Sequence, residues 1–287
     1  MINMKYSIPW YLGLTTLVTT SASAQWVSTT TYTFSGNTLP TGLIASSDLI
    51  GDTADPSSTA TYNHQFNTSN VQISDNFLHL IVPSNQTTSP IQCAEISTQI
   101  SNILYASVRT SAILTNESGI CNGMFFYHSD SQEIDIEWIS DPDSVSNDNG
   151  TRVMQYTNQG QHGTEDAVEV NGVAPEDATT EVHEYRVDWV EGKSRFFVDG
   201  VFQQEMEMNV PTTGGQWVWN AWTNGDPSFT VGPPVNDAVF KIQKIVMMYN
   251  TTDDAGQQEG SSSGSGRVWP VLCGLVVTLL SLALMMC

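Results

Sequence analysis

SQEIDIEWIS, residues 131–140, places Glu133, Asp135 and Glu137 at every second position, interleaved with Ile134 and Ile136 and followed by Trp138. A period of two is the pattern of a β-strand with one polar and one apolar face. Read that way, the stretch stands three acids in a row on one face of a sheet and sends two isoleucines and a tryptophan into a core. Glu133 and Glu137 would lie about 13 Å apart at Cα, from a rise of about 3.3 Å per residue. Two glutamate side chains leaning toward each other across a concave sheet bring their carboxyls much closer, and the shorter aspartate between them leaves space. Like charges on one face repel, so the row asks for a reason.

Working outward, the same period recurs. His183–Val190, HEYRVDWV, puts Tyr185, Val187 and Trp189 on one face. Lys193–Val198 and Val201–Glu207 flank Asp199-Gly200, and a DG pair between strand-like runs signals a hairpin. Asn76–Val82, Tyr105–Ile113, Gly123–His128 and Val239–Tyr249 also read as strands. No helical period appears in the central part of the chain. Many short strands separated by Ser, Thr, Asn, Gly and Pro clusters predict an all-β sandwich or barrel. The turn-rich segments Asp141–Thr151 and Asp226–Asp237 each follow a strand with aromatic or acidic residues, and are natural walls for a cleft.

The two ends read differently. Residues 1–24 hold Lys5, an apolar stretch over Ile8–Val18, and Ala22-Ser23-Ala24. This is the layout of a secretory signal peptide cleaved before Gln25. Residues 253–266 form a polar Gly/Ser linker, and residues 267–287 are almost wholly apolar. Small residues, a polar spacer and an apolar tail match a glycosylphosphatidylinositol attachment signal, with the lipid joined near Ser261. The expected catalytic domain is then residues 25–252, secreted and held at the cell surface. The mature chain, about Gln25 to Ser261, holds seven basic residues against 30 acidic ones, a net charge of about −23. So acidic a chain is not a nucleic-acid binder, because phosphate backbones need a basic surface. It suits an uncharged ligand and, we expect, a monomer.

Cys273 and Cys287 lie in the tail, which leaves Cys93 and Cys121. In a secreted protein a disulfide between them is the default expectation. There is no CxxC or HExxH, so no metal or other cofactor is expected, and His64, His79, His128, His162 and His183 are read as surface or hydrogen-bonded residues. Sequons at Asn67, Asn85, Asn116, Asn149 and Asn250 mark expected glycosylated loops.

The acid row has a bland reading, a solvated strand face over a packed core. Its setting favours chemistry. MFFYHSD just before it offers Phe125 and Tyr127 on one face, and WVWNAWTNG offers Trp217, Trp219 and Trp222. Aromatic rings stack on sugars while polar neighbours bond their hydroxyls. Retaining glycosidases use two carboxyls about 5–5.5 Å apart, one to attack and one to give and take a proton. Clustered carboxylates cannot all ionise cheaply, so at least one stays protonated near working pH.

On these residues the chain resembles the glycoside hydrolase family 16 catalytic domain. EIDIE is similar to that family's hallmark, in the short form without the extra residue of the laminarinase and agarase branches; lichenases, plant xyloglucan transglycosylases and fungal wall transglycosylases share it. LYASVRTSA, MFFYHSD and HEYRVDWVEGKSRFFVDG resemble neighbouring strands of the domain, and WNAWTNGDPSF, then GPPVNDAVFKIQKIVMMYN, resemble fungal secreted members that carry a lipid-anchor tail. The resemblance implies a concanavalin-like jelly roll, a β-sandwich of two curved antiparallel sheets with the cleft on the concave face. It implies a β-glucan substrate, with Glu133 as nucleophile, Asp135 as its helper and Glu137 as acid/base. It places Arg109, Phe125, Tyr127, Asn220 and Trp222 at sugar contacts. It also implies a structural calcium in some members, whose ligands the sequence does not identify. Two departures concern substrate choice: Ser107 stands where many members have a glutamate two residues before the arginine, and Gln155 and Tyr156 stand near a frequent asparagine. The alternative reading is a lectin-like wall protein without catalysis, against which the intact acid row argues.

Overall fold

The structure is a computed structural model describing residues 26–54, 58–161 and 163–254. The expected signal peptide, Gln25, most of the linker, Ser261, the apolar tail and His162 lie outside the described residues. In chain order, the strands begin with β1 (Ser28–Thr33), β2 (Leu43–Ala45), β3 (Leu49–Ile50), β4 (His64–Phe66), β5 (Val71–Ser74), β6 (Phe77–Val82) and β7 (Ile91–Thr98). Next come β8 (Ile103–Ile113), β9 (Cys121–Ser129), β10 (Gln132–Ile139), β11 (Val153–Gly160) and β12 (Gly163–Val173). The last are β13 (His183–Val190), β14 (Lys193–Val198), β15 (Val201–Met206), β16 (Gln216–Trp222) and β17 (Ala238–Thr251).

They form two sheets. One runs β15-β14-β13-β8-β17-β6-β5, with β1 also on β17. The other runs β12-β11-β10-β9-β16-β7-β4-β3, with β2 also on β7. Pairing is antiparallel except between β4 and β7, which are parallel. This is an all-β sandwich, one of the two architectures that the alternation predicts, and the jelly roll that the resemblance implies.

Period-two alternation drives the packing. Ile134, Ile136 and Trp138 of β10 are buried against the facing sheet, as are Tyr185, Val187 and Trp189 of β13. The core between the sheets is aromatic. Phe126 meets Trp189 with ring centroids 4.1 Å apart, and Tyr156 stacks on Phe196 at 4.9 Å. Buried indoles need partners for their N–H groups. Trp189 donates to the Pro211 carbonyl at 3.0 Å, Trp138 to the Thr115 carbonyl at 2.9 Å, and Trp219 across the sandwich to the Thr110 hydroxyl at 2.8 Å. The Asp199-Gly200 turn has φ of 50° and 75°, the left-handed pair of a type I′ hairpin, and joins β14 to β15 as its sequence predicts.

The expected disulfide is not formed: Cys93 and Cys121 are both free and buried. Cys121 pairs with Trp222 of β16, whose other edge pairs with β7, where Ala221 opposes Ala94. The two cysteines therefore flank one intervening strand, about 9–10 Å apart at two strand spacings. A disulfide needs Cα atoms within about 7 Å.

The sequons lie where loops were expected in three cases: Asn85, Asn116 and Asn149 are exposed. Asn67 and Asn250 are half-buried and engaged. Asn67 accepts from the Ser69 amide at 3.0 Å and donates to Gln92 at 3.0 Å, while Asn250 accepts from the Val27 amide at 2.8 Å. Among the described residues no group of three or more His, Cys, Asp or Glu is arranged to hold a metal ion, so the calcium that the resemblance implies has no such side-chain cage there.

Candidate active site

The outer face of the second sheet carries what its inner face excludes. Because β9, β10 and β16 alternate in step, Glu133 opposes Tyr127, Asp135 opposes Phe125, and Glu137 opposes Gly123, which in turn opposes Asn220. The three acids, Phe125, Tyr127 and Asn220 line a cavity of about 530 Å³ together with Glu95 of β7, His64 and Phe66 of β4, Ile50 of β3, and Val218 and Trp222 of β16. The residues come from six adjacent strands, so the long axis of the cavity crosses the strands.

Gly123 keeps the floor open beside Glu137. A Cβ there would lie 2.5 Å from Asn220 Oδ1 and 3.3 Å from the Phe125 ring. That oxygen accepts from the Gly123 amide at 3.2 Å, while Asn220 Nδ2 donates to Glu95 Oε2 at 3.3 Å. Asn220 is thus spoken for on both sides, and it holds Glu95 in the cleft.

The three acids of β10 differ in environment. Asp135 is only 3% exposed. Burial first, then repulsion from Glu133 and Glu137, drives its pKa well above the ordinary carboxylate range, and it hydrogen bonds to Glu133. Gln159 of β11 donates to its other side, Nε2 to Oδ2 at 3.1 Å. Glu133 is pushed up to about 8, mainly by burial, with the Asp135 bond pulling the other way. The hydrogen bond between the two carboxyls is made by a proton on Asp135, the more deeply buried acid. Glu137 is pushed up to about 7 by burial, against the pull of the Cys121 thiol. Cys121 Sγ lies 3.4 Å from Glu137 Oε1. One carboxyl hydrogen-bonded by an adjacent acid, beside a second whose pKa lies near neutrality, is an arrangement that suits double displacement at an anomeric carbon.

Phe125, Tyr127, Asn220 and Trp222 all line the cavity. Tyr127 donates to Asp130 at 2.9 Å, and burial and that acid hold its phenol up near 12. Trp217 and Trp219 are fully buried in the core instead. Arg109 is not in the cleft. It sits on β8 in the opposite sheet, opposes Arg186 and pairs with Glu184 at 3.8 Å. Ser107, on the same outer face, donates to Asp188 at 2.6 Å. Gln155 is buried on β11 and donates to the Ser146 carbonyl at 2.6 Å, so it closes against the Asp141–Thr151 loop. That loop meets the Asp226–Asp237 loop where Ser144 and Ser146 donate to the Ser228 carbonyl. Phe229 packs by Trp222 at 5.9 Å, which seats the loops beside one end of the cavity.

Glu95 and His64 in the cleft, and Gln159 against Asp135, are polar residues of the site that the sequence does not single out for it. Glu95 interrupts IQCAEIST, and burial, with help from Asp48, raises it to about 7. An acid inside an otherwise apolar strand is the signal that could have found it. Gln159 and His64 offer no such signal, since a polar residue near a strand end is commonplace.

A family model for Glycosyl hydrolases family 16 matches residues 58–233, a segment that takes in β4 to β16. The chain is 25% identical over 188 residues to Congo red hypersensitive protein 1 of Saccharomyces cerevisiae, covering 58% of this chain and 36% of that protein. It is 28% identical over 150 residues to a beta-glucanase of Paenibacillus polymyxa, covering 50% and 57%. The matched regions thus span about a third to somewhat over half of those relatives. Among solved structures, a lichenase from a mouse hindgut metagenome superposes with a TM-score of 0.59 at 16% identity, covering 78% of this chain and 99% of that one. The laminarinase catalytic domain of Thermotoga petrophila superposes with a TM-score of 0.61 at 15% identity, covering 79% and 98%. These likenesses carry the fold. The family model covers more than half of the chain and includes the whole acid row, and the chain belongs to glycosyl hydrolases family 16.

Proposed function

We propose that this chain is a retaining, endo-acting glycosidase of β-1,3/1,4-glucan that also passes the cleaved unit to an acceptor glucan at a fungal cell surface. The observation that carries the reading is the row of three carboxyls on the floor of an aromatic-lined cavity, the middle one buried and its neighbours half-buried, with Asp135 hydrogen-bonded to Glu133. Glu133 attacks the anomeric carbon while Glu137 delivers its proton to the departing glycosidic oxygen, leaving an ester between the sugar and Glu133. Glu137, now a carboxylate, takes a proton from the incoming water or sugar hydroxyl; its oxygen attacks the same carbon and releases Glu133. Two inversions give retention. The names of the beta-glucanase relatives support glucan as the substrate. A relative in a yeast supports a fungal source. The features of residues 1–24 and 253–287 support secretion and a lipid anchor, which release by phosphatidylinositol-specific phospholipase C would test.

The test of the activity is incubation with β-1,3-, β-1,4- and mixed-linkage glucans and chitin oligomers, with and without a labelled acceptor. The reading expects a β-configured new reducing end and, with acceptor, labelled products longer than the donor. An α-configured end contradicts retention; products that are only shorter reduce the reading to a plain endoglucanase.

A further inference from the structure

We infer that the far wall of the cleft, built by β3 and β4, is a distal sugar-binding subsite in which His64 presents ring nitrogen Nε2 to a hydroxyl of a glucan unit. The inference rests on the cleft being a glucan site. The sheet order β10-β9-β16-β7-β4 puts His64 four strand spacings from the acid row, about 19 Å across the sheet. A polysaccharide lying along the cavity crosses the strands in that direction, so it reaches His64 only after several sugar rings.

His64 is held as a binding group rather than as filler. Its Nδ1 lies 2.7 Å from Asp52 Oδ2, and the same oxygen accepts from the His64 amide at 3.0 Å. The other oxygen of Asp52 accepts from Asn224 at 3.1 Å, so the carboxylate cannot turn. The imidazole plane is fixed as well. It stacks on Trp222 at 4.9 Å and 26°, with Phe66 edge-on at 5.1 Å. Only 5% of His64 is exposed, yet it lines the cavity. With Nδ1 turned to Asp52, the far edge of the ring carries Nε2. A sugar hydroxyl both donates and accepts, so it pairs with Nε2 in either tautomer. Ile50, 40% exposed and lining the same wall, offers the apolar surface that a sugar's C–H face needs. A buried Asp–His pair costs desolvation that an apolar pair would not; a bound hydroxyl gives the arrangement its use, and a ring already fixed loses little entropy on binding.

The test is calorimetric binding of glucose oligomers of increasing length, β-1,3- and β-1,3-1,4-linked, to the full chain carrying Glu137→Gln, with and without His64→Phe. Phenylalanine keeps the stack on Trp222 and removes the nitrogens. We expect affinity to rise with length and His64→Phe to weaken the long oligomers alone, by about tenfold, the value of one lost hydrogen bond. The more nearly isosteric Asp52→Asn should weaken the same oligomers, and it decides the matter if His64→Phe fails to fold. An equal loss at every length, or none at any, overturns the inference. Binding needs no turnover. A length-dependent loss in a protein whose native form cleaves no glucan would sink the glycosidase reading and leave the subsite standing.

Discussion

Cys121 shows how much one atom against the proposed acid/base carboxyl can matter. Its thiol touches Glu137 at 3.4 Å, and its own pKa is pushed far up by burial and then by Glu137, so it stays an S–H donor. A donor to a carboxylate stabilises the charged form and lowers the carboxyl's pKa. Cys121→Ala should therefore raise Glu137 above its value near 7 and move the alkaline limb of kcat/KM to higher pH by about half a unit, given how weak a thiol donor is. A pH–rate profile checks this; a limb that stays put or moves down contradicts it. Gly123 is the second sensitive point. Gly123→Ala should drive Asn220 from Glu95 and lower kcat/KM by at least about tenfold, as small displacements at a reacting centre do. An alanine variant with native activity would show that the open floor is not needed. The missing disulfide belongs to the same level: composition names two cysteines, but only strand order reveals that β16 lies between them.

Strands β10 and β13 were legible because alternation is a local rule. Their apolar residues had to face inward, and they do. Trp189 was read as a core residue from its place in such a stripe, and it is fully buried. Trp189→Ala should cost about 3–5 kcal/mol and lower the urea midpoint accordingly; Asp188→Ala, next to it on the outer face, should cost no more than about 1 kcal/mol. Equal losses would mean that β13 is not packed as described. Arg109 marks the limit of the rule. Alternation says that its side chain leaves the core, but a sandwich has two outer faces, one convex and one bearing the cleft. Only pairing decides which is which, and β8 pairs with β13 and β17, away from the acid row. Glu95 and His64 show the converse: β7 and β4 join the cleft sheet through long-range pairing that nothing local encodes.

Across the domain, the cleft opposes stability at neutral pH. Glu95 and Glu137 sit near 7 in the folded protein, against an ordinary value of 4.5, and Asp135 and Glu133 are raised with them. Groups whose folded pKa is raised bind more protons in the folded state, so the contribution of these acids to stability is fullest below about 4.5 and falls as pH rises toward 8. The melting temperature should drop over that window, and Glu137→Gln should flatten the fall; a rising curve, or one unchanged by the substitution, contradicts the assignment. This is the cost of lining up acids that a solvated strand face would not bear, and it leads back to the central claim that Glu133 and Glu137 divide the work. An aryl glucoside with a good leaving group needs little acid help to form the ester, but breakdown still needs the Glu137 base. Mass spectrometry of the Glu137→Gln protein after mixing with such a substrate should find one sugar attached at Glu133, following a burst of leaving group. A sugar on any other residue, or full turnover in both Glu133→Gln and Glu137→Gln proteins, would contradict it.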